Sequence, residues 1–447
     1  MRLSVPVASA FAFAFAFAFA WPTAARASEP PDEDVLGDIV VEASDAGQAG
    51  PRLMKIAVPT VAGTGPSAEL ADEVLHRDLE LSGQFKLVEP DRGGLEALVR
   101  ISATTSGPDV QLRAEVFFDA TAEVAAYETS ATGDRMQTRL VTHRLVDAVI
   151  AILTGYRGPF VSELTFVARR GETRSVYRID ADGHGLRRVT GPSELASASA
   201  FGPDDALYYA ASVDHGRYRL YREGRAEPFD LDPSGSIYGI AFSPDRREVA
   251  LTIAVGRDVL LYRGSSDLSG LRRVGKPSLM LQPAFAPNGQ LAAAATNEDE
   301  RLRIRVDGRA VSPRGASAAS PTFCDHPDGV TLVYSVGTRR REYIVATDPR
   351  GRVSRRISHG NGRDSHPACS PDGRLVAFFS TRTTGEGPGL YVMRTDGYRA
   401  RKIADVVGDS LQWARRQTVE PVPLSKEAGQ RQPGLDAGAR SLPDLVP

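Results

Sequence analysis

The chain has 447 residues and a formal charge of −2 at pH 7, with 54 Lys and Arg against 56 Asp and Glu. Its length exceeds one typical domain. The lack of any basic excess argues against a nucleic-acid partner, and 25% charged residues describe an ordinary soluble surface.

The first 27 residues read as an export signal. Arg2 gives a minimal positive start, residues 3–21 are apolar and dominated by an Ala-Phe repeat, and Ala25-Arg26-Ala27 fits a small-x-small cleavage pattern with Ser28 as the mature start. An uncleaved anchor is the alternative, because the apolar run approaches spanning length. No Cys sits at the cleavage site and no later stretch is long and apolar enough to span a bilayer, so no membrane insertion is expected after cleavage.

Residues 28–54 are rich in acidic and small residues and read as a mobile segment, except that Ile39, Val40 and Val41 can pair as a strand. A small α/β domain follows over 55–156. It begins with a strand at 55–59, and apolar residues at helical spacing predict a helix over 68–81 that Gly83 can end. Strands are expected at 85–88, 97–103, 110–118 and 122–128, then a helix over 137–153 ending before Gly155.

From residue 157 to 416 the chain repeats. The segments FGPDD, FSPDR, FAPNG, FCDHPDG and CSPDG carry Pro203, Pro244, Pro287, Pro327 and Pro371, at steps of 41, 43, 40 and 44 residues. That period is the size of a four-stranded propeller blade. In the last repeat Pro371 presets φ for a turn, Asp372 can bond its own backbone, and Gly373 supplies the positive φ of a tight reversal. Apolar runs at 207–211, 249–253, 291–295, 332–336 and 375–379 follow, as strands buried on both faces require. Runs at 219–222, 259–263, 302–306, 343–347 and 390–394 give a third strand, and basic runs such as 271–274, 353–357 and 400–404 a fourth. Asp-Gly pairs at 182/183, 307/308 and 396/397 turn the third strand into the fourth.

Residues 163–190 match the last three strands of a blade but lack the first. The segment SLQWARR at 410–416 resembles that missing inner strand, with Trp413 in the aromatic slot. Pairing it beside 163–169 closes a ring of six blades and removes the exposed sheet edges. The fold class is therefore mainly β: a six-bladed β-propeller preceded by a small α/β domain. Cys369 holds the aromatic slot of its repeat while Cys324 lies one position beyond Phe323, so the two are expected to point to opposite faces and remain isolated buried thiols. The tail at 417–447, with prolines at 421, 423, 433, 443 and 447, reads as disordered.

No catalytic constellation stands out. There is no G-x-S-x-G elbow, no H-E-x-x-H, no close Cys/His cluster and no phosphate-binding Gly loop, so no catalytic, cofactor or metal residues are expected. Asp180, Asp182, Asp372 and Asp396 are better read as turn formers than as acid/base pairs.

Taken in order, the leader, acidic start, small α/β domain, LTG junction and propeller with S-P-D-G and YVMRTDG segments resemble the TolB family, periplasmic components of the Tol-Pal envelope system. Coverage runs from about 37 to 416, and the most specific matches are KIAVP, SGQFKLVEP (82–90) and DAVIAILTGYRGPF (147–160). The blade motif itself is shared with other six-bladed propellers, including those of prolyl oligopeptidase-like and tricorn-like proteases. About five residues separate Pro90 from the next strand, where the family has a further helical stretch, and the tail extends beyond the family's usual end.

The resemblance implies a periplasmic, monomeric binding protein rather than an enzyme. Its N-terminal segment would engage a TolA-like inner-membrane partner, with Ile39, Val40, Val41 and Glu42 placed for strand addition. Its propeller mouth would bind a Pal-like outer-membrane lipoprotein. By position in the repeat, the candidate mouth residues are Glu194, Tyr238, Met280, Ser317, Asp364 and His366. Two alternatives are a stand-alone propeller adaptor without the Tol partners and a propeller hydrolase or lyase acting on envelope glycans.

Overall fold

In a computed structural model the described residues are 51–426, apart from 91–92, 192–193, 214, 277–278, 297–300 and 339–340. The expected signal and Ile39, Val40, Val41 and Glu42 lie outside the described residues. Among the described residues no helix is long and apolar enough to cross a membrane.

The small domain is a sheet covered on one face by two helices. Strand β1 (Met54–Ala57) leads to α1 (Pro66–Leu81), where Pro66 opens the helix at a position that needs no N–H donor. Ala71, Val74, Leu75 and Leu79 form the buried stripe of α1. Strand β2 (Phe85–Leu87) and β3 (Ala97–Ser106) flank β1 in parallel, and β4 (Asp109–Phe117) and β5 (Tyr127–Asp134) continue the sheet antiparallel. Helix α2 (Thr138–Thr154) packs Val141, Leu145, Val149 and Ile150 beside α1 and stops at left-handed Gly155, whose N–H bonds the Ala151 carbonyl. The strand expected at 122–128 lies instead at β5. Residues 129–134, TSATGD, carry too little apolar alternation to show it; Thr129 and Ala131 are the residues that face inward.

Asp147 of α2 fixes the junction to the propeller. Its buried carboxylate accepts from the backbone N–H of Phe160 at 2.9 Å and of Val161 at 3.0 Å. Burial pushes this carboxyl from the ordinary 3.8 up to about 6, against the pull of Arg415. The fold therefore favours the neutral acid, and the stability this group adds below pH 4 fades as pH rises through 6. Relative to Asp147→Asn, wild type is expected to lose about 3 kcal/mol between those limits. Urea unfolding of both proteins at pH 4 and pH 7 checks this; an unchanged difference would show that the carboxyl titrates normally.

The propeller has six blades around a central channel. Blade 3, for example, runs outward through Ser236–Phe242, Glu248–Val255, Asp258–Ser265 and Arg272–Val274. Blades 4, 5 and 6 repeat this four-strand order from Met280–Phe285, Ser317–His326 and Asp364–Cys369. Blade 2 departs from expectation with three strands, Leu195–Phe201, Leu207–Ser212 and Arg219–Arg222. Pro228 and Pro233 interrupt the place of its fourth strand and cannot donate to a ladder, leaving Phe229 N–H to Leu220 O at 2.8 Å.

Blade 1 joins the two ends of the repeat region as expected. Its inner strand Asp409–Arg415 pairs antiparallel with β6 (Ser162–Arg170), Trp413 opposite Leu164, and β6 pairs with β7 (Thr173–Asp180). The Trp413 indole N–H donates to Ser162 Oγ at 2.7 Å. One apolar core runs from Leu75 and Val149 of the small domain through Phe160, Phe166 and Trp413 to Phe379 and Val392 of blade 6.

Two expectations are corrected here. Cys324 and Cys369 form a disulfide, with Cα atoms 5.1 Å apart. The opposite-face argument has the wrong sign for a ring: a forward-facing residue on one blade meets a backward-facing residue on the next. Both sulfurs lie in the apolar layer between blades 5 and 6, with Val333, Ile344, Val376 and Phe378. The tail is also ordered over 417–426. Its proline-rich run forms no helix or sheet of its own, yet side chains satisfy it: Asp205 accepts from Gln417 N and Thr418 N at 2.7 and 2.8 Å, and Arg157 donates to Val422 O at 2.8 Å. Val422 is buried, and Ser425–Lys426 pairs with Glu128 and Tyr127 of β5 as a sixth strand.

Candidate functional site

All six inner strands run in the same direction, so their starts ring one mouth of the channel and their ends the other. Each strand carries one extra residue relative to its neighbour, and these bulges fall at Ser197, Tyr238, Gln282, Ser320, His366 and Ser410. A bulge re-aims side chains and bends the strand. Gln282, Ser320, His366 and Ser410 hold φ between 51° and 54°, a region that side-chain-bearing residues rarely adopt. Four such residues at equivalent places form a strained collar, the kind of feature that collects at binding sites.

Bonds between blades fix the collar. Ser410 Oγ donates to Ser197 O at 3.2 Å, Ser197 Oγ to Ile237 O at 2.8 Å, and Ser320 N to Gln282 Oε1 at 2.8 Å. Gln412 reaches past blade 2 to donate to Ile240 O at 2.7 Å. Beyond the collar, toward the strand ends, the channel opens into a cavity of about 420 Å³ lined by Phe201, Phe242, Phe285, Phe323, Trp413 and Arg246 among others. The aromatic slot of the repeat thus forms its wall. Arg246 hooks this wall together by donating to the Phe201 and Gly202 carbonyls.

Of the six residues expected at the mouth, Tyr238 and His366 line the channel. Ser317 is exposed at a strand start, its Oγ accepting from Leu302 N at 3.3 Å. Glu194 lies just before the blade 2 inner strand with Oε2 buried. Met280 packs into the blade 3 and 4 core, and Asp364 is wholly buried, accepting from Ser380 Oγ at 2.6 Å and Arg382 Nη2 at 3.3 Å. Those two therefore support the rim from beneath. Burial holds the His366 imidazole below its ordinary value, against the pull of Asp409 and Glu342, so it is neutral at pH 7. Gln282, Ser320 and Ser410 were missed, although the dipeptides Gln282-Pro283, Ser320-Pro321 and His366-Pro367 mark the bulge in three successive blades.

The cavity lining contains a single carboxylate among the described residues, Asp325, so the two-carboxylate arrangement of glycoside hydrolysis is not formed within it. What the channel offers is a neutral imidazole, hydroxyls, amides and aromatic faces, with Arg246, Arg415 and Asp325 as its charged groups.

A second polar cluster lies where the small domain meets blade 1. Asp78 of α1, His143 of α2 and Asp182 of the turn after β7 come within 4.8 Å of one another, all buried. Asp78 and His143 stand 65 positions apart, so spacing in the chain gives no sign of the cluster. Burial drives the Asp78 carboxyl up to about 7. Burial alone would lower His143, but Asp78, Asp182 and Asp180 together outweigh it and the imidazole is raised.

No family model matches the chain. Among curated proteins it is 24% identical over 300 residues to the "Protein TolB homolog" of Chlorobium chlorochromatii, covering 67% of this chain and 48% of that protein. It is 28% identical over 151 residues to the "Tol-Pal system protein TolB" of Geobacter sulfurreducens, covering 30% and 35%. The chain thus spans half or less of these relatives' length. The crystal structure of TolB from Acinetobacter baumannii shares the fold with a TM-score of 0.65, at 17% identity over 81% of this chain and 97% of that one. With curated TolB relatives and a TolB fold, the chain is a divergent TolB-like protein.

Proposed function

We propose that the protein serves as the TolB-like component of a Tol-Pal-type envelope system, acting in the periplasm by binding and without bond chemistry. In this reading it links a TolA-like inner-membrane protein to a Pal-like outer-membrane lipoprotein, supporting envelope integrity and constriction at division. The observation that carries it is the 300-residue match to a TolB homolog, which spans two thirds of the chain. The export signal read from residues 1–27 agrees with the location.

The Pal-like partner would dock at the channel, with Tyr238 and His366 as contacts and Glu194 and Ser317 at the rim. Residues 39–42 would add as a strand to a TolA-like sheet edge, and their competing attachment to this protein's own surface would couple the two partners. Titration calorimetry with the Pal-like lipoprotein of the same organism tests this. His366→Ala and Tyr238→Ala are each expected to weaken binding about tenfold, as loss of an interface anchor does. Deleting residues 28–52 should abolish TolA binding and shift Pal affinity. Unaltered Pal affinity in both channel variants would rule out the channel as the docking surface.

The short coverage of the curated relatives favours, as a second reading, a propeller adaptor that has lost the Tol partners. A pull-down with the Pal-like protein separates the two, since the adaptor would not retain it.

A further inference from the structure

The turn after β7 docks into the helical layer of the small domain, and buried charge makes the contact. Arg77 of α1 donates to the Asp182 carbonyl at 2.8 Å, and Arg139 of α2 reaches Asp182 Oδ2. The turn also lies flush on blade 6, since a Cβ on left-handed Gly183 would collide with the Ile403 carbonyl. Into this join points His143 of α2, itself buried. Its Nδ1 lies 2.6 Å from Asp78 Oδ2 of α1, and its Nε2, which makes no hydrogen bond, lies 4.0 Å from Asp182 Oδ2. The imidazole thus stands between two wholly buried carboxylates, one in each domain.

One proton stays in the short contact of Nδ1 with Oδ2, so the proton on Nε2 is the one that changes the charge of the ring. With it, an imidazolium faces Asp182 in surroundings of low polarity, where such attraction is strong. Without it, a lone pair faces the carboxylate and the attraction is lost. Four acids act on the ring, Asp78, Asp147, Asp180 and Asp182. Each nearby cation has an acid of its own, Arg139 with Asp182, Arg415 with Asp147 and Arg416 with Asp180, while Glu73 and His184 lie at the exposed edge. Burial works against the charged ring, and Asp78, Asp182 and Asp180 outweigh it, so the docked form holds its proton more tightly than an ordinary histidine. Burial raises Asp78 as well, and the pair releases its protons as a unit. Despite burial, His143 and Arg139 keep Asp182 below its ordinary value, so it stays ionised. Raised groups add stability that is whole below their ordinary values and fades as pH climbs through the raised ones, here through about 7 and above.

We propose that His143 is a proton-operated latch between the two domains: its imidazolium, held between Asp78 and Asp182, clamps α2 to blade 1, and loss of the Nε2 proton loosens that contact. Proton supply then sets how firmly a displacement of the small domain is carried into the propeller. The latch needs no partner, so its failure and that of the Tol-Pal reading are separate results.

Hydrogen exchange of α1 and α2 in the full chain at pH 6 and pH 9, corrected for the intrinsic effect of pH, is the test. Wild type is expected to lose about tenfold more protection between those limits than His143→Gln, the ratio that one group releasing its proton near 7 gives over that span. Asp147 is present in both proteins and cancels. Imidazole NMR of the wild type should place the His143 titration above the ordinary 6.5, and Asp182→Asn should bring it down and shrink the loss of protection. Equal losses in wild type and His143→Gln, a His143 titration at or below 6.5, or an Asp182→Asn variant that leaves both readings unchanged would overturn the proposal. The imidazole titration decides the matter even if His143→Gln fails to fold.

Discussion

A protein ended at residue 407, ahead of the strand Asp409–Arg415, is expected to lose its single cooperative unfolding transition. That strand is the inner member of blade 1, and its removal exposes one edge of β6 along residues 162–167, leaving unpaired N–H and C=O groups. It also removes Trp413, which is 9% exposed within the core shared by the small domain, blade 1 and blade 6. Burying an indole of roughly 200 Å² contributes about 5 kcal/mol, a large part of the 5–15 kcal/mol that holds a typical domain. The point variant Trp413→Ala isolates this term, with an expected loss of about 3–5 kcal/mol. Near-ultraviolet circular dichroism and urea unfolding read both proteins. A truncated chain that kept the wild-type midpoint and near-ultraviolet spectrum would mean that the ring does not depend on its fastening strand.

Replacing Cys324 and Cys369 together by Ala is expected to cost about 4 kcal/mol. The bond closes a loop spanning 45 positions, and the chain-entropy argument gives that magnitude for a loop of this length. It links blade 5 to blade 6, neighbours that otherwise meet through side-chain packing and a few polar contacts. Such a bond persists in an oxidising compartment, which agrees with the export signal read from residues 1–27. Urea midpoints in the presence and absence of dithiothreitol are the check. Reductant should bring wild type down to the double variant and leave the variant unmoved, and an unresponsive wild type would show that the bond adds no stability.

Much of the fold was legible because a propeller repeats its signals. Each Pro-Asp-Gly turn and each apolar run after it is a local event, and the composite blade followed from a strand left over at each end. The failures share one cause, since they depend on relations between elements that local pattern does not carry. The Cys324–Cys369 bond depends on which blade face confronts which. Residues 129–134 form a strand because β4 offers them an edge. Residues 417–426 are ordered by Asp205, Arg157 and Thr129, donors and acceptors supplied by distant parts of the chain. At the channel, repeat position alone found Tyr238 and His366 but also selected Met280 and Asp364, because a strand start alternates between rim and core. Asp78, His143 and Asp182 converge only once the small domain has docked.

The path of residues 417–426 has a mechanical consequence. The small domain packs on the propeller through a shared core and is also joined to it by two neighbouring segments, residues 155–161 running into β6 and residues 416–426 running out of the strand beside it. A second joining segment beside the first adds a covalent restraint against twisting to the one that the shared core already provides. Tension on the small domain therefore pulls lengthwise on both strands of the seam at once, and nicking the chain near residue 419 would leave that load on β6 alone while sparing the shared core and every blade.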